Sequence, residues 1–193
     1  MIEGIRKLLE YSSFEYSDRW LPNDPRMKRL GKELLGIDVN TPSDAARVAE
    51  AFMDMNNELN QYCTSIREYE ATLFRSFETG QTSVTTRLGY YPLAYAGPKP
   101  SAPPPGTEQS YNAKVELMHC DVPDVGRFYL IRRQSVASDG ATTIMLRVTA
   151  GRAAAEKAFS NAVADVRRGI KAARRGVRLV SKFISKEGEE GSE

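Results

Sequence analysis

The chain predicts an α+β fold in which two long heptad-patterned helices flank a small antiparallel sheet, a meander of three or more strands. Three observations carry that expectation. Apolar residues recur in alternating steps of four and three at Val48, Phe52, Met55, Leu59, Tyr62, Ile66, Tyr69 and Leu73. They recur the same way at Phe159, Val163, Val166, Ile170, Ala173, Val177, Val180 and Ile184. Between these stretches the period falls to two, as in Val115, Leu117, His119 and again Ile144, Leu146, Val148. The first spacing belongs to one stripe of a helix and the second to one face of a strand. At 193 residues, 41% hydrophobic and 27% charged, the chain is large enough for a core and ordinary in composition.

Residues 1–80 read as a helical region. Short helices over 2–11 and 25–36 are separated by a polar-aromatic loop holding Trp20, and Gly36 ends the second. Thr41-Pro42-Ser43-Asp44 is a strong helix start: an N-cap hydroxyl, proline at the first helical position and an acid in the first turn. The four-three spacing then predicts a single helix of roughly 36 residues, closed by Gly80. Residues 81–112 read as an edge strand, with Pro92 confining it there, and a Pro-rich linker over 97–106. Strands over 113–120, 127–136 and 142–149 form the meander, with hairpin turns at Asp121–Gly126 and Ser138-Asp139-Gly140. A basic helix starts near Gly151 and runs to about 187, and 188–193 is an acidic tail. All of this fits one α+β domain.

The basic helix is the strongest functional signal. Arg167, Arg168, Lys171, Arg174, Arg175, Arg178, Lys182 and Lys186 fall within 21 residues that contain no acid. Surface helices usually mix signs for i,i+4 pairing, so an acid-free run points to an anionic partner. An anionic membrane surface comes first and a nucleic acid second, because the cations are not interleaved with the aromatics that stack on bases. The Val48–Leu73 stripe is narrow enough to predict a seam between copies of the chain, making the protein a homo-oligomer.

Catalysis finds no support in the residues. The only histidine, His119, is followed by Cys120, and neighbours on a strand point to opposite faces. Two cysteines and one histidine at unrelated spacings cannot close a four-ligand zinc site, and no phosphate-binding glycine loop is present. The expectation is a non-catalytic structural or assembly protein without a cofactor. Cys63, inside the helical pattern, and Cys120, at a strand end, read as free thiols of a reducing, cytoplasmic compartment. With no apolar run of about 20 residues, any membrane contact is peripheral.

Pro100-Ser101-Ala102-Pro103 resembles the P-[S/T]-A-P late-assembly signal of matrix and Gag proteins of enveloped viruses. The resemblance covers these four residues alone. It implies a matrix-like role and a host protein that docks the preformed polyproline segment.

Overall fold

The long first helix is not continuous. In the computed structural model, which describes residues 2–90, 95–96 and 102–186 (without the side chains of 95–96 and 176–186), that helix ends at Tyr62. The next fourteen residues, Cys63–Ser76, form a strand. Two long helices therefore do not flank a small sheet. A large sheet is the centre of the molecule, and the coiled-coil expectation falls with the first helix.

The elements run α1 (Ile2–Tyr11), β1 (Ser13–Ser17), α2 (Pro25–Leu30) with a π-helical turn Gly31–Leu35, and α3 (Pro42–Tyr62). They continue with β2 (Cys63–Ser76), β3 (Thr82–Tyr90), β4 (Tyr95–Ala96), β5 (Thr107–Val122), β6 (Gly126–Ala137), β7 (Thr142–Thr149) and α4 (Arg152–Lys186). Among the described residues the seven strands make one antiparallel sheet in the order β1-β7-β6-β5-β2-β3-β4. β5, β6 and β7 are the expected meander, with β5 longer than its apolar alternation indicates. β1 and β2 enlarge it on either side.

Local chemistry explains the boundaries. The Thr41 hydroxyl accepts the Asp44 N–H at 3.1 Å while the Asp44 carboxylate accepts the Thr41 N–H, also at 3.1 Å, a reciprocal cap that fixes the start of α3. Gly31 sits where the π-helical turn crosses α3; a Cβ there would lie 2.4 Å from Val39 Cγ2 and 3.1 Å from Val48 Cγ2. β2 carries a bulge between Ser65 and Arg67, which lets Ile66, Tyr69, Ala71 and Leu73 share one side of the sheet. Glu68, Glu70 and Thr72 occupy the other.

Two cores result. On one side of the sheet, α1, α2 and α3 bury Ile5, Leu8, Phe52, Met55 and Leu59 against Phe14, Met118, Leu130, Ile144 and Leu146. On the other side, α4 lays Ala155, Phe159, Ala162, Val163, Val166 and Ile170 on Tyr69, Ala71, Ala113, Val115, Leu117 and Ile131. Val48, Phe52, Met55 and Leu59, expected as an oligomer seam, are at most 1% exposed inside the first core. Tyr62 ends the helix, and Ile66, Tyr69 and Leu73 belong to β2. No helical seam is left for a second copy to use there.

The cysteines correct a further expectation. Ending α3 at Tyr62 makes Cys63 the first residue of β2, directly opposite Cys120 in the register, and the two are joined as a disulfide with Cα atoms 4.0 Å apart. The expectation of a reducing compartment rested on free thiols and loses that support. Among the described residues, no helix is long and apolar enough to cross a membrane.

Candidate functional site

Two polar regions stand out against these cores. The first lies on the side of the sheet that carries α1–α3, beyond the last turns of α3. Arg132, 9% exposed, donates to Glu116 and to the side-chain Oδ1 of Asn56, each at 3.0 Å. One row on, Glu68 takes Lys114 at 2.8 Å and Arg87 at 3.7 Å, with Glu68 and Arg87 both under 10% exposed. Asn112 donates to Glu70 at 3.1 Å and to the fully buried Thr72 hydroxyl at 2.8 Å. Three carboxylates face three cations, so the patch is neutral as a whole. Burial pulls the Lys114 ammonium down, but its bond to Glu68 and the charges of Glu116, Glu68 and Glu70 outweigh that and hold it above the usual lysine range. A self-compensated lattice of this kind holds strands together and leaves no net charge for a ligand.

The second region is built by α4. At 100° per residue, positions 167, 171 and 174 share a face that adjoins the buried stripe. Arg167 lies over the Tyr69 ring, 5.3 Å from its centre. Arg174 reaches the start of β3, donating from Nε to the Thr82 hydroxyl at 3.2 Å and from Nη2 to the Thr82 carbonyl at 3.5 Å. Lys171 stands exposed between them. With Val84, Thr86 and Ile170 these residues line an open groove of about 390 Å³ between α4 and β3. Ile170, 6% exposed, is the last buried residue of the stripe among the described side chains.

The expected basic residues are therefore not equivalent. Arg167, Lys171 and Arg174 line the groove. Arg175 is exposed outside it. Arg168 turns to Asp165, which also meets Arg133 at 4.0 Å. The side chains of Arg178, Lys182 and Lys186 lie outside the described residues, as does the acidic tail. Among the described residues, no carboxylate pairs with Arg167, Lys171 or Arg174. Arg67 is cationic too, but it is spent on structure: it binds Glu156 at 2.6 Å and stacks on Phe159 and Tyr90 at 4.7 and 4.8 Å.

Sequence reasoning missed Thr82, Val84 and Thr86 and assigned Tyr69 to an oligomer seam, because a groove wall on β3 requires β2 to be a strand beside it. The alternation of Tyr69, Ala71, Leu73 with Glu68, Glu70, Thr72 was the available signal. A further residue missed is Phe77. It is 69% exposed on the β2–β3 turn, one hydrogen-bonded pair from Thr82, where Arg174 is anchored. The Phe77 N–H donates to the Gly106 carbonyl at 3.0 Å, which brings the end of the Pro-rich segment to the same turn. Of the tetrapeptide, Ala102 and Pro103 are exposed, while Pro100 and Ser101 lie outside the described residues.

His119 is half-buried in β5 with its ring edge-on to Tyr129 at 5.3 Å, and its neighbour Cys120 is consumed by the disulfide. Among the described residues no three His, Cys, Asp or Glu side chains gather as metal ligands. No protein family, no characterised protein and no solved structure matches this chain.

Proposed function

We propose that this protein is a non-catalytic structural protein that attaches peripherally to an anionic membrane surface through the basic face of α4 and the adjoining β2–β3 turn. The observation that carries the reading is that the β2–β3 turn which carries Phe77, 69% exposed, ends at Thr82, where Arg174 is anchored. Exposed cations beside a projecting aromatic ring suit a bilayer interface, where charge draws the protein in and the ring enters the headgroup boundary. Each Lys or Arg near an anionic leaflet contributes about 1 kcal/mol, and burying a phenylalanine adds about 2 kcal/mol. Arg167, Lys171, Arg174, Arg175 and Phe77 together then support reversible attachment of roughly micromolar to millimolar strength.

Flotation with phosphatidylcholine vesicles of rising phosphatidylserine content tests this. Binding is expected to rise with the anionic fraction, to weaken with salt, and to fall further in Phe77→Ser, whose contribution salt does not screen. Absence of flotation at low salt overturns the reading. So does binding to duplex nucleic acid with a linear log–log salt dependence that Phe77→Ser leaves unchanged.

A further inference from the structure

We propose that the groove between α4 and β3 is a specific pocket for a polyol carrying two or more phosphate monoesters, presented either as a lipid headgroup or as a free molecule. The proposal rests on the reading that the basic face of α4 binds anions, and it names the anion.

Three features separate this groove from a merely charged surface. The first is the preparation of its cations. Arg167 lies over the Tyr69 ring at 5.3 Å and Arg174 is tied to Thr82 through two nitrogens at 3.2 and 3.5 Å, so less side-chain freedom is lost when an anion arrives. A guanidinium offers paired donors that fit phosphate oxygens.

The second is spacing. Positions 167, 171 and 174 span about 10 Å along the helix at 1.5 Å per residue. With Arg167 held over Tyr69 at one end and Arg174 bonded to Thr82 at the other, a single small anion is not expected to engage both. Two or three phosphates on one small ring can.

The third is the rest of the lining. Thr86 supplies a hydroxyl opposite the cations, while Ile170 and Val84 give an apolar floor suited to the C–H face of a ring. The volume of about 390 Å³ falls within the range of small-ligand sites. Asp165, which would weaken an anion site, is held away by Arg168 and Arg133.

The test uses the full chain and two kinds of probe. Titration calorimetry with inositol hexakisphosphate reads the pocket alone. Flotation compares phosphatidylserine vesicles with vesicles carrying a phosphatidylinositol bisphosphate at matched surface charge. Arg167→Gln and Arg174→Gln should each weaken the soluble polyphosphate roughly tenfold, the loss of one charged hydrogen-bonding partner. Arg175→Gln, exposed outside the groove, should change it by no more than about twofold, while all three variants lower binding to phosphatidylserine alike. Unchanged melting curves verify that the variants fold.

Soluble ligand bound by a protein that ignores phosphatidylserine vesicles would support the pocket and overturn the surface reading. Flotation on phosphatidylserine without binding of the soluble ligand at low salt, or without preference for the bisphosphate lipid, would overturn the pocket and leave the surface reading standing. Equal losses in Arg175→Gln and Arg167→Gln would also overturn it, since binding would then follow charge alone.

Discussion

The same strands present opposite solutions on their two sides. On the side of α4, Tyr69, Ala71, Ala113, Val115 and Leu117 of β2 and β5 lie under a helix whose contact residues include three alanines, Ala155, Ala158 and Ala162. Small side chains let the helix approach closely and exclude water. One residue along each strand, on the reverse side, stand Glu68, Glu70, Thr72, Asn112, Lys114 and Glu116, held by hydrogen bonds and ion pairs. Burial beneath a helix selects apolar residues and tolerates ion pairs only at its margin, as in Arg67–Glu156 and Arg133–Asp165. Where α1–α3 do not reach, strand cohesion comes from compensated charge. The two sides should therefore differ in how they fail.

The largest effect is expected on the apolar side. Phe159→Ala removes a ring that is 1% exposed and also takes away the surface on which Arg67 stacks; unfolding in urea should show a loss of about 4 kcal/mol. A loss under about 1 kcal/mol would mean that α4 is not part of the core.

Next comes the disulfide, which sits where the reverse side changes from apolar to ionic. Replacing Cys63 and Cys120 together by Ala should cost about 3 kcal/mol, and reductant should lower the melting temperature of the native chain but not of the double variant. Glu68→Gln should cost about 2 kcal/mol or more, because it leaves Lys114 and Arg87 facing a neutral amide in a buried site. Exchanging the whole set for apolar residues of similar volume should be far milder, and that contrast would sharpen the distinction between a compensated lattice and a packed core.

The smallest effect is one of pH. A lysine whose folded value is raised stabilises fully below its unfolded value and loses that contribution as pH rises through the folded one. Lys114 is in this position. Tyr16 reinforces it: burial, then its hydrogen bond to Asp18, pushes the phenol up to about 12. Its neutral form is the one the fold favours, so stability should decline from about pH 10, where an unfolded tyrosine ionises, to about pH 12. Urea melts across this window should show the decline shrinking in Lys114→Met and again in Tyr16→Phe. Absorbance at phenolate wavelengths should find Tyr16 among the last tyrosines to ionise.

Much of the architecture was legible where residues next to each other in sequence decide it. The Thr41 cap, the hairpins and the alternation of β5–β7 are local signals, and the structure carries them. β2 was not legible, because Tyr62, Ile66, Tyr69 and Leu73 continue the helical spacing of α3. A bulge at Ile66 makes that spacing compatible with a strand face. The disulfide was lost with β2, since Cys63 opposes Cys120 only in the strand register. β1 offers just Phe14 and Tyr16 as alternating apolar residues, and its pairing is decided by a strand at the far end of the chain. The cations of the candidate site were visible in the sequence; the groove was not, because its second wall depends on the same strand that the helical spacing concealed.

β1 also sets the order in which the protein can be completed during synthesis. Ser13–Ser17 pairs with Thr143–Arg147, and Asp18 and Ser12 bond to residues flanking that partner. The two strands are about 130 residues apart, so β1 emerges early and waits roughly ten seconds or more for its neighbour at ordinary translation rates. Throughout that interval Phe14 and Tyr16, 3% and 6% exposed in the finished fold, have no sheet to enter, and the strand edge is open to other chains. A nascent chain stalled before Thr143 should thus be the form most prone to aggregate and the one most dependent on chaperones.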